Sequence, residues 1–292
     1  MRPPSTATRV SSWLHRSPRV RLAALLSAPM AWLVVAYLGS LAFMFAAALW
    51  STDSFTGALV RTVTWDNFHT LATQPVYLRV ALRTVGVAVA VTVIDAIIAL
   101  PMAFFMAKIA SPRWRRLLVV AILTPLWASY LVKAYAWRVM FANGGVLDWL
   151  GQPLHATGPG FGLTAVVITL AYLWLPFMIL PVYAGFEKLP DSLLEASADL
   201  GASAWRTFRS IAMPTVFPAL VAGSVFTFSL SLGDYITVKI VGGRTQLFAN
   251  VIYDNIGVAN NLPFAAAAAV VPVLAIVVYL VLVRRTGALD NL

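Results

Sequence analysis

Long apolar runs separated by short clusters of charge dominate the chain. Residues 22–52 carry no charged side chain between Arg21 and Asp53, and residues 84–107, between Arg83 and Lys108, carry one, Asp95. A third run begins after Arg116 and reaches about Val139, with Lys133 and Arg138 near its far end. Three more cover about 162–186, 212–233 and 264–283. A spanning helix needs about 20 mostly apolar residues, and these runs are long enough. The pattern predicts six transmembrane helices, an all-α polytopic fold with both termini on one side.

The charges between the runs assign that side. With the termini go Arg2, Arg9, Arg16, Arg19 and Arg21; Lys108, Arg113, Arg115 and Arg116; Lys188, Arg206 and Arg209; and Arg284 and Arg285. The opposite loops hold only Arg61, Arg79, Arg83, Lys239 and Arg244. Basic residues stay on the cytoplasmic side, so both termini are expected there. A basic segment before an apolar run also describes a signal peptide, but the apolar core of such a peptide is about 7–15 residues. The run from Leu22 to Trp50 is about twice that, which predicts an uncleaved first helix. The expected organisation is a basic tail (1–21), a transmembrane domain (22–285) and a short tail (286–292).

Composition agrees. The chain has 292 residues, 60% hydrophobic and 11% charged, where a soluble domain carries about 25% charged residues. Mean hydropathy is +0.83. The net charge of +10 reflects topology rather than nucleic-acid binding. Cysteine is absent, which excludes disulfides and thiolate metal sites. His15, His69 and His155 are scattered, and neither a zinc-protease helix motif nor a nucleophile elbow occurs. No phosphate-cradling G-x-x-x-x-G-K-[ST] loop is present; Gly242-Gly243-Arg244-Thr245 is only superficially similar. A transport subunit rather than an enzyme is expected, with no catalytic, metal or cofactor site of its own.

The loop 187–213 is the most ordered in its grammar. It reads EKLPDSLLEASADLGASAWRTFRSIAM, followed by Pro214. Pro190 suits a first helical turn. Asp191, Glu195 and Asp199 recur every fourth residue and share one face; three like charges there repel unless something basic faces them. Gly201 stops the helix, Ser203 caps a second short helix over 204–212, and Pro214 marks the start of the fifth span. On the residues alone, this hairpin is either a simple connector or a docking surface with an acidic stripe outward.

The same segment resembles the EAA loop of binding-protein-dependent ABC importer permeases. The pattern stands here as Glu195-Ala196-Ser197, Gly201, Ile211 and Met213-Pro214, with the spacing kept and mild departures at Ser197 and Met213. Residues 124–147, 180–203 and 228–243 are similar to the spermidine/putrescine branch. The resemblance spans roughly 80–285. It implies the type I importer permease fold, in which this loop forms the coupling helix. Asp191, Glu195, Ala196, Ser197, Asp199 and Gly201 would then couple to the ATPase. It also implies a second permease subunit (self or paralogue), two ATPase subunits that bind ATP and Mg, an extracytoplasmic solute-binding protein, and a bacterial inner-membrane location.

A charge at the bilayer centre costs on the order of 3 kcal/mol by insertion scales, which makes Asp95 a functional candidate. A polyamine pathway needs carboxylates and aromatic faces. Asp95, Asp234, Tyr130 and Tyr235 have that chemistry, as do Trp127 and Trp137. Structural roles compete: Asp95 bonded to Thr92 or a neighbouring helix, Asp234 paired with Lys239 or capping an unwound helix end, and the two tryptophans packed at interfaces. Lys133 and Arg138 are expected to snorkel outward. Pro176 and Pro181 predict a kink in the fourth span. Gly223 and Gly233 allow close helix approach or local unwinding. A permease for an amino acid or iron, or a gradient-driven transporter with Asp95 as proton site, remain the alternatives.

Overall fold

A computed structural model describes residues 18–53, 56–151, 153 and 158–284. The expected tails beyond residues 18 and 284, together with His15 and His155, lie outside the described residues. Five helices are long and apolar enough to cross a membrane. They are α1 (Leu25–Ala47), α3 (Pro75–Ile109), α7 (Leu163–Lys188), α9 (Ala204–Gly233) and α12 (Leu262–Arg284). Two more helices, α4 (Pro112–Trp127) and α5 (Tyr130–Phe141), are long and apolar enough only as a pair, bent by 96° at the break; counted as one span they bring the total to six. Between α1 and α3 lie a two-stranded antiparallel ladder, β1 (Ser51–Thr52) with β2 (Leu59–Val60), and helix α2 (Asp66–Thr73). Between the bent pair and α7 lies α6 (Val146–Gly151), and between α9 and α12 lie α10 (Ile236–Val241) and α11 (Phe248–Gly257); α8 (Asp191–Asp199) precedes α9.

The third span is therefore not the single helix expected. Ala128 and Ser129 are extended (ψ 142° and 135°). The apolar run passes through this break unmarked, but Pro125 donates no backbone hydrogen bond near the end of α4. The fifth span differs as well. The helix after Ser203 does not stop before Pro214; it continues from Ala204 to Gly233 through a π-helical stretch, Phe208–Ala212. Pro214 leaves the carbonyl four residues earlier without its usual donor, and the wider π turn absorbs the misfit. In the fourth span, Pro176 and Pro181 sit inside α7, which stays one helix.

The core is built around α7, which packs against both α3 and α9. Half of its apolar window is buried, against 6% for α1, whose outward residues are apolar all round. One buried cluster joins Val87 and Val91 of α3 to Leu170 and Ala171 of α7; a deeper one joins Ala99 and Ala103 to Met178, Ile179 and Val182. Small residues set the closest approach: a Cβ added at Gly223 of α9 would lie 3.1 Å from the Met178 Cα atom. Without a hydrophobic drive between helices in lipid, such backbone proximity supplies the packing.

Candidate functional site

Two places carry chemistry. The first is the hairpin before the fifth span. Pro190 is the N-cap of α8 rather than part of its first turn. The helix ends as its glycine requires: Gly201 has φ +74°, its N–H bonds to the Ala198 carbonyl (2.8 Å), and Ala202 N–H reaches Ser197 (3.1 Å). That pair of bonds is the Schellman closure. Ser203 then accepts from Arg206 N–H at 3.4 Å, capping the next helix. Asp191, Glu195, Ala196 and Asp199 are exposed, as is Gly201. Ser197 points inward and shares a 2.8 Å hydrogen bond with the Thr207 hydroxyl, tying the arms of the hairpin together. Leu200 (88% exposed) and Trp205 (68%) make the outer surface apolar as well as acidic.

One residue of the acidic face, Asp191, meets something basic. Lys108, at the end of α3, donates to the Asp191 carboxylate at 2.7 Å and to the Leu189 carbonyl at 2.5 Å. Arg115 donates to the Met106 and Ala107 carbonyls (3.0 and 2.9 Å), satisfying the exposed end of the same helix. The hairpin is thus latched to the second span as well as covalently joined to the fourth and fifth.

The second place lies where two broken spans meet. Helix α9 ends at Gly233, and Asp234 and Tyr235 turn the chain into α10. Asp234, only 7% exposed, accepts from Thr237 N–H (2.8 Å) and from the Thr237 hydroxyl (3.1 Å), so it caps α10. It also accepts from the Tyr130 hydroxyl, which lies 2.6 Å from the Thr237 hydroxyl. Tyr130 is the first residue of α5, immediately after the other break. Its ring stacks on Trp174 of α7, centroids 6.1 Å apart. Tyr235 stacks on Tyr253 at 4.6 Å, and its carbonyl accepts from Asn250. Around these groups is an open cavity of about 280 Å³, lined by Tyr130, Trp174, Ser229, Asp234 and Tyr235 among others.

Of the four intramembrane candidates, the structure brings together Tyr130, Asp234 and Tyr235. Asp95 does not join them among the lining residues. It is fully buried in α3, and both carboxyl oxygens lack a hydrogen-bond partner among the described residues. Its expected partner Thr92 donates instead to the Ala88 carbonyl. Lys239, the other expected partner of Asp234, pairs with Asp254 at 2.8 Å. Trp127 is 92% exposed, whereas Trp137 packs on Phe141 and Tyr172. Arg138 is held by the Ile240 carbonyl (2.7 Å) and lies over the Phe161 ring. Sequence reasoning missed Thr237, Trp174 and Lys108. Thr237 stands three residues after Asp234, the spacing of a capping aspartate, and was legible; Trp174 and Lys108 are defined only by tertiary contact.

Residues 99–285 match the family described as "Binding-protein-dependent transport system inner membrane component". The inner membrane ABC transporter permease protein YdcU of Escherichia coli K12 is 40% identical, covering 97% of this chain and 95% of that protein. The spermidine/putrescine transport system permease protein PotB of Haemophilus influenzae is 32% identical over 71% of this chain and 74% of its own length. A solved bacterial ABC transporter involved in the import of the acidic polysaccharide alginate superposes with a TM-score of 0.74, covering 95% of this chain and 99% of that one. At 15% identity, that likeness is one of fold: the type I permease fold.

Proposed function

This chain belongs to the binding-protein-dependent inner membrane components, the permease subunits of ABC importers, and from that premise we propose that its solute is a polyamine. The observation that carries this reading is the cavity between the broken spans, where one carboxylate, Asp234, is surrounded by the rings of Tyr130, Trp174 and Tyr235. An extended polycation is bound by carboxylates and by aromatic faces, and breaks in helices are where transporters build solute sites. The PotB relatives, named for spermidine/putrescine transport, support the same class.

A relative of 26% identity over 73% of this chain is named a probable sulfate transport permease, so the framework itself does not select a cation. The Asp234 cavity does, because its carboxylate would repel an anion.

In this reading the pathway is shared with a second permease subunit, either a copy or a paralogue. Two ATPase subunits, which hold ATP and Mg, dock on the cytoplasmic hairpins through Glu195, Ala196, Asp199 and the exposed Leu200. Both termini face the cytoplasm. A solute-binding protein delivers the polyamine from outside. Closure of the ATPases pulls the hairpin. The Lys108 latch carries that movement to α3, and the unbroken helix Ala204–Gly233 carries it to the hinge at Asp234.

The test is ATPase stimulation in proteoliposomes holding the chain with its partner subunits. Binding protein is added loaded with putrescine, spermidine, an amino acid, ferric ion or sulfate. Stimulation confined to polyamines, and lost in Asp234→Asn, is expected. Stimulation by another ligand refutes the polyamine assignment.

A further inference from the structure

The outer ends of α3, α7 and α10 enclose a second cavity whose chemistry is opposite to that at Asp234. Its volume is about 480 Å³, and Arg83, Phe161, Gly162, Gly242, Arg244 and Thr245 are among the residues that line it. No carboxylate lines it.

Four other basic side chains near this face are already engaged. Arg61 lies over the Trp50 ring, Arg79 donates to the Pro75 carbonyl (3.2 Å), Arg138 to Ile240 (2.7 Å), and Lys239 pairs with Asp254 (2.8 Å). Arg83 and Arg244 are exposed, and neither has an ion pair or side-chain hydrogen bond among the described residues. Two guanidinium groups facing one hollow repel each other and leave ten N–H donors to water. The 26-residue helix α7 also begins there, at Gly162, with no side chain capping it. Its free amides and dipole add to the positive field.

Such a site takes carboxylates, and bidentate ones best. A polycation cannot use both cavities, since this one would expel it. We infer that the Arg83–Arg244 hollow is the socket in which an acidic segment of the solute-binding protein docks. The inference rests on the importer reading and on the outward orientation of this face.

The position of the socket gives docking a consequence. Gly242 and Arg244 directly follow α10, whose N-terminus is capped by Asp234. That helix of six residues is about 9 Å long and buried at Thr237, Val238 and Val241. Gly162 N–H bonds to the Val241 carbonyl at 3.1 Å, tying the start of α7 to its end. A carboxylate seated between Arg83 and Arg244 therefore pulls on a short rigid rod whose other end is the solute site.

The experiment uses the intact complex in phosphatidylcholine proteoliposomes. The quantity read is the concentration of polyamine-loaded binding protein that half-saturates ATPase stimulation, normalised to each preparation's own maximum. For the unmutated complex it should rise steeply with salt. Arg83→Gln with Arg244→Gln should raise it at least tenfold and flatten the salt dependence. The corresponding lysine pair should recover part of the loss, and Arg61→Gln with Arg79→Gln, which removes equal charge from the same face, should not shift it. A double glutamine variant within twofold of wild type overturns the socket. So does a shift that appears only when phosphatidylglycerol is added, because the hollow then holds a lipid headgroup. A wild-type complex that no binding protein stimulates refutes the importer reading instead.

Discussion

Asp95 is fully buried in α3 with both carboxyl oxygens unpartnered among the described residues. A buried polar group without a compensating hydrogen bond costs about 1–3 kcal/mol by mutational measures. Removing the carboxyl with Asp95→Ala opens a small hollow worth roughly 0.5 kcal/mol at the usual cavity rate. The variant should therefore gain about 1 kcal/mol and melt higher in detergent than wild type. Its uptake should fall, since stability is commonly given up at sites kept for activity. A lower melting temperature would mean that the carboxyl has a stabilising partner after all. Asp148, in α6 between the bent pair and α7, is the reverse case. Its carboxylate accepts from Gly158 N–H (2.6 Å) and Gly144 N–H (2.7 Å), which lowers its pKa. A depressed folded-state pKa gives stability that is present at neutral pH and is lost only as the pH falls below the ordinary carboxylate range of about 4. Amide protection at Gly144 and Gly158 should hold from pH 7 to 5 and collapse below that range; Asp148→Asn should lack it throughout.

At the scale of elements, the hairpin and the broken span show what a sequence discloses. The start of α8 falls at Asp191, one residue after the Pro190 that the sequence placed in the first turn, but its end followed from local chemistry, the Gly201 stop, as did the Ser203 cap of the next helix. The break at Ala128–Ser129 did not, because the residues around it are as apolar as any span. What holds the bend is distant in sequence: Tyr130 reaching Asp234 and Thr237. The continuous helix through Pro214 was hidden for the opposite reason, a strong local signal absorbed by a π turn. At the candidate site, residue types were legible while their grouping was not; Asp95 and Asp234 read alike in the sequence and have opposite surroundings in the fold. The latch between elements can be cut. Lys108 is 10% exposed and makes two charged hydrogen bonds, one of them to a well-exposed Asp191. Lys108→Met should cost about 1–2 kcal/mol. The sharper readout is coupling: less solute imported per ATP hydrolysed, with Lys108→Arg closer to wild type. An unchanged ratio would mean that the hairpin moves α3 without this tie.

For the whole molecule, burial grades from α7 at the centre to α1 at the margin, and the apolar exterior is what lipid and a second permease subunit would cover. Orientation is testable directly because the chain has no cysteine. A cysteine at Leu200, 88% exposed, should react with a membrane-impermeant maleimide only from the cytoplasmic side. ATPase subunits should shield it there. A cysteine at exposed Gln246 should react only from outside. Reversed labelling would overturn the topology drawn from the basic residues.

Asp234 has one more consequence, and it concerns time. Its carboxylate is already satisfied by Tyr130 and Thr237, so an arriving ammonium group gains only the difference between two sets of hydrogen bonds. Such a guest is held briefly. In the proposed pathway this sacrifices tight retention for throughput: the carboxylate sorts solutes by the sign of their charge alone, and finer discrimination among cations falls to the protein that delivers them, before the membrane is crossed.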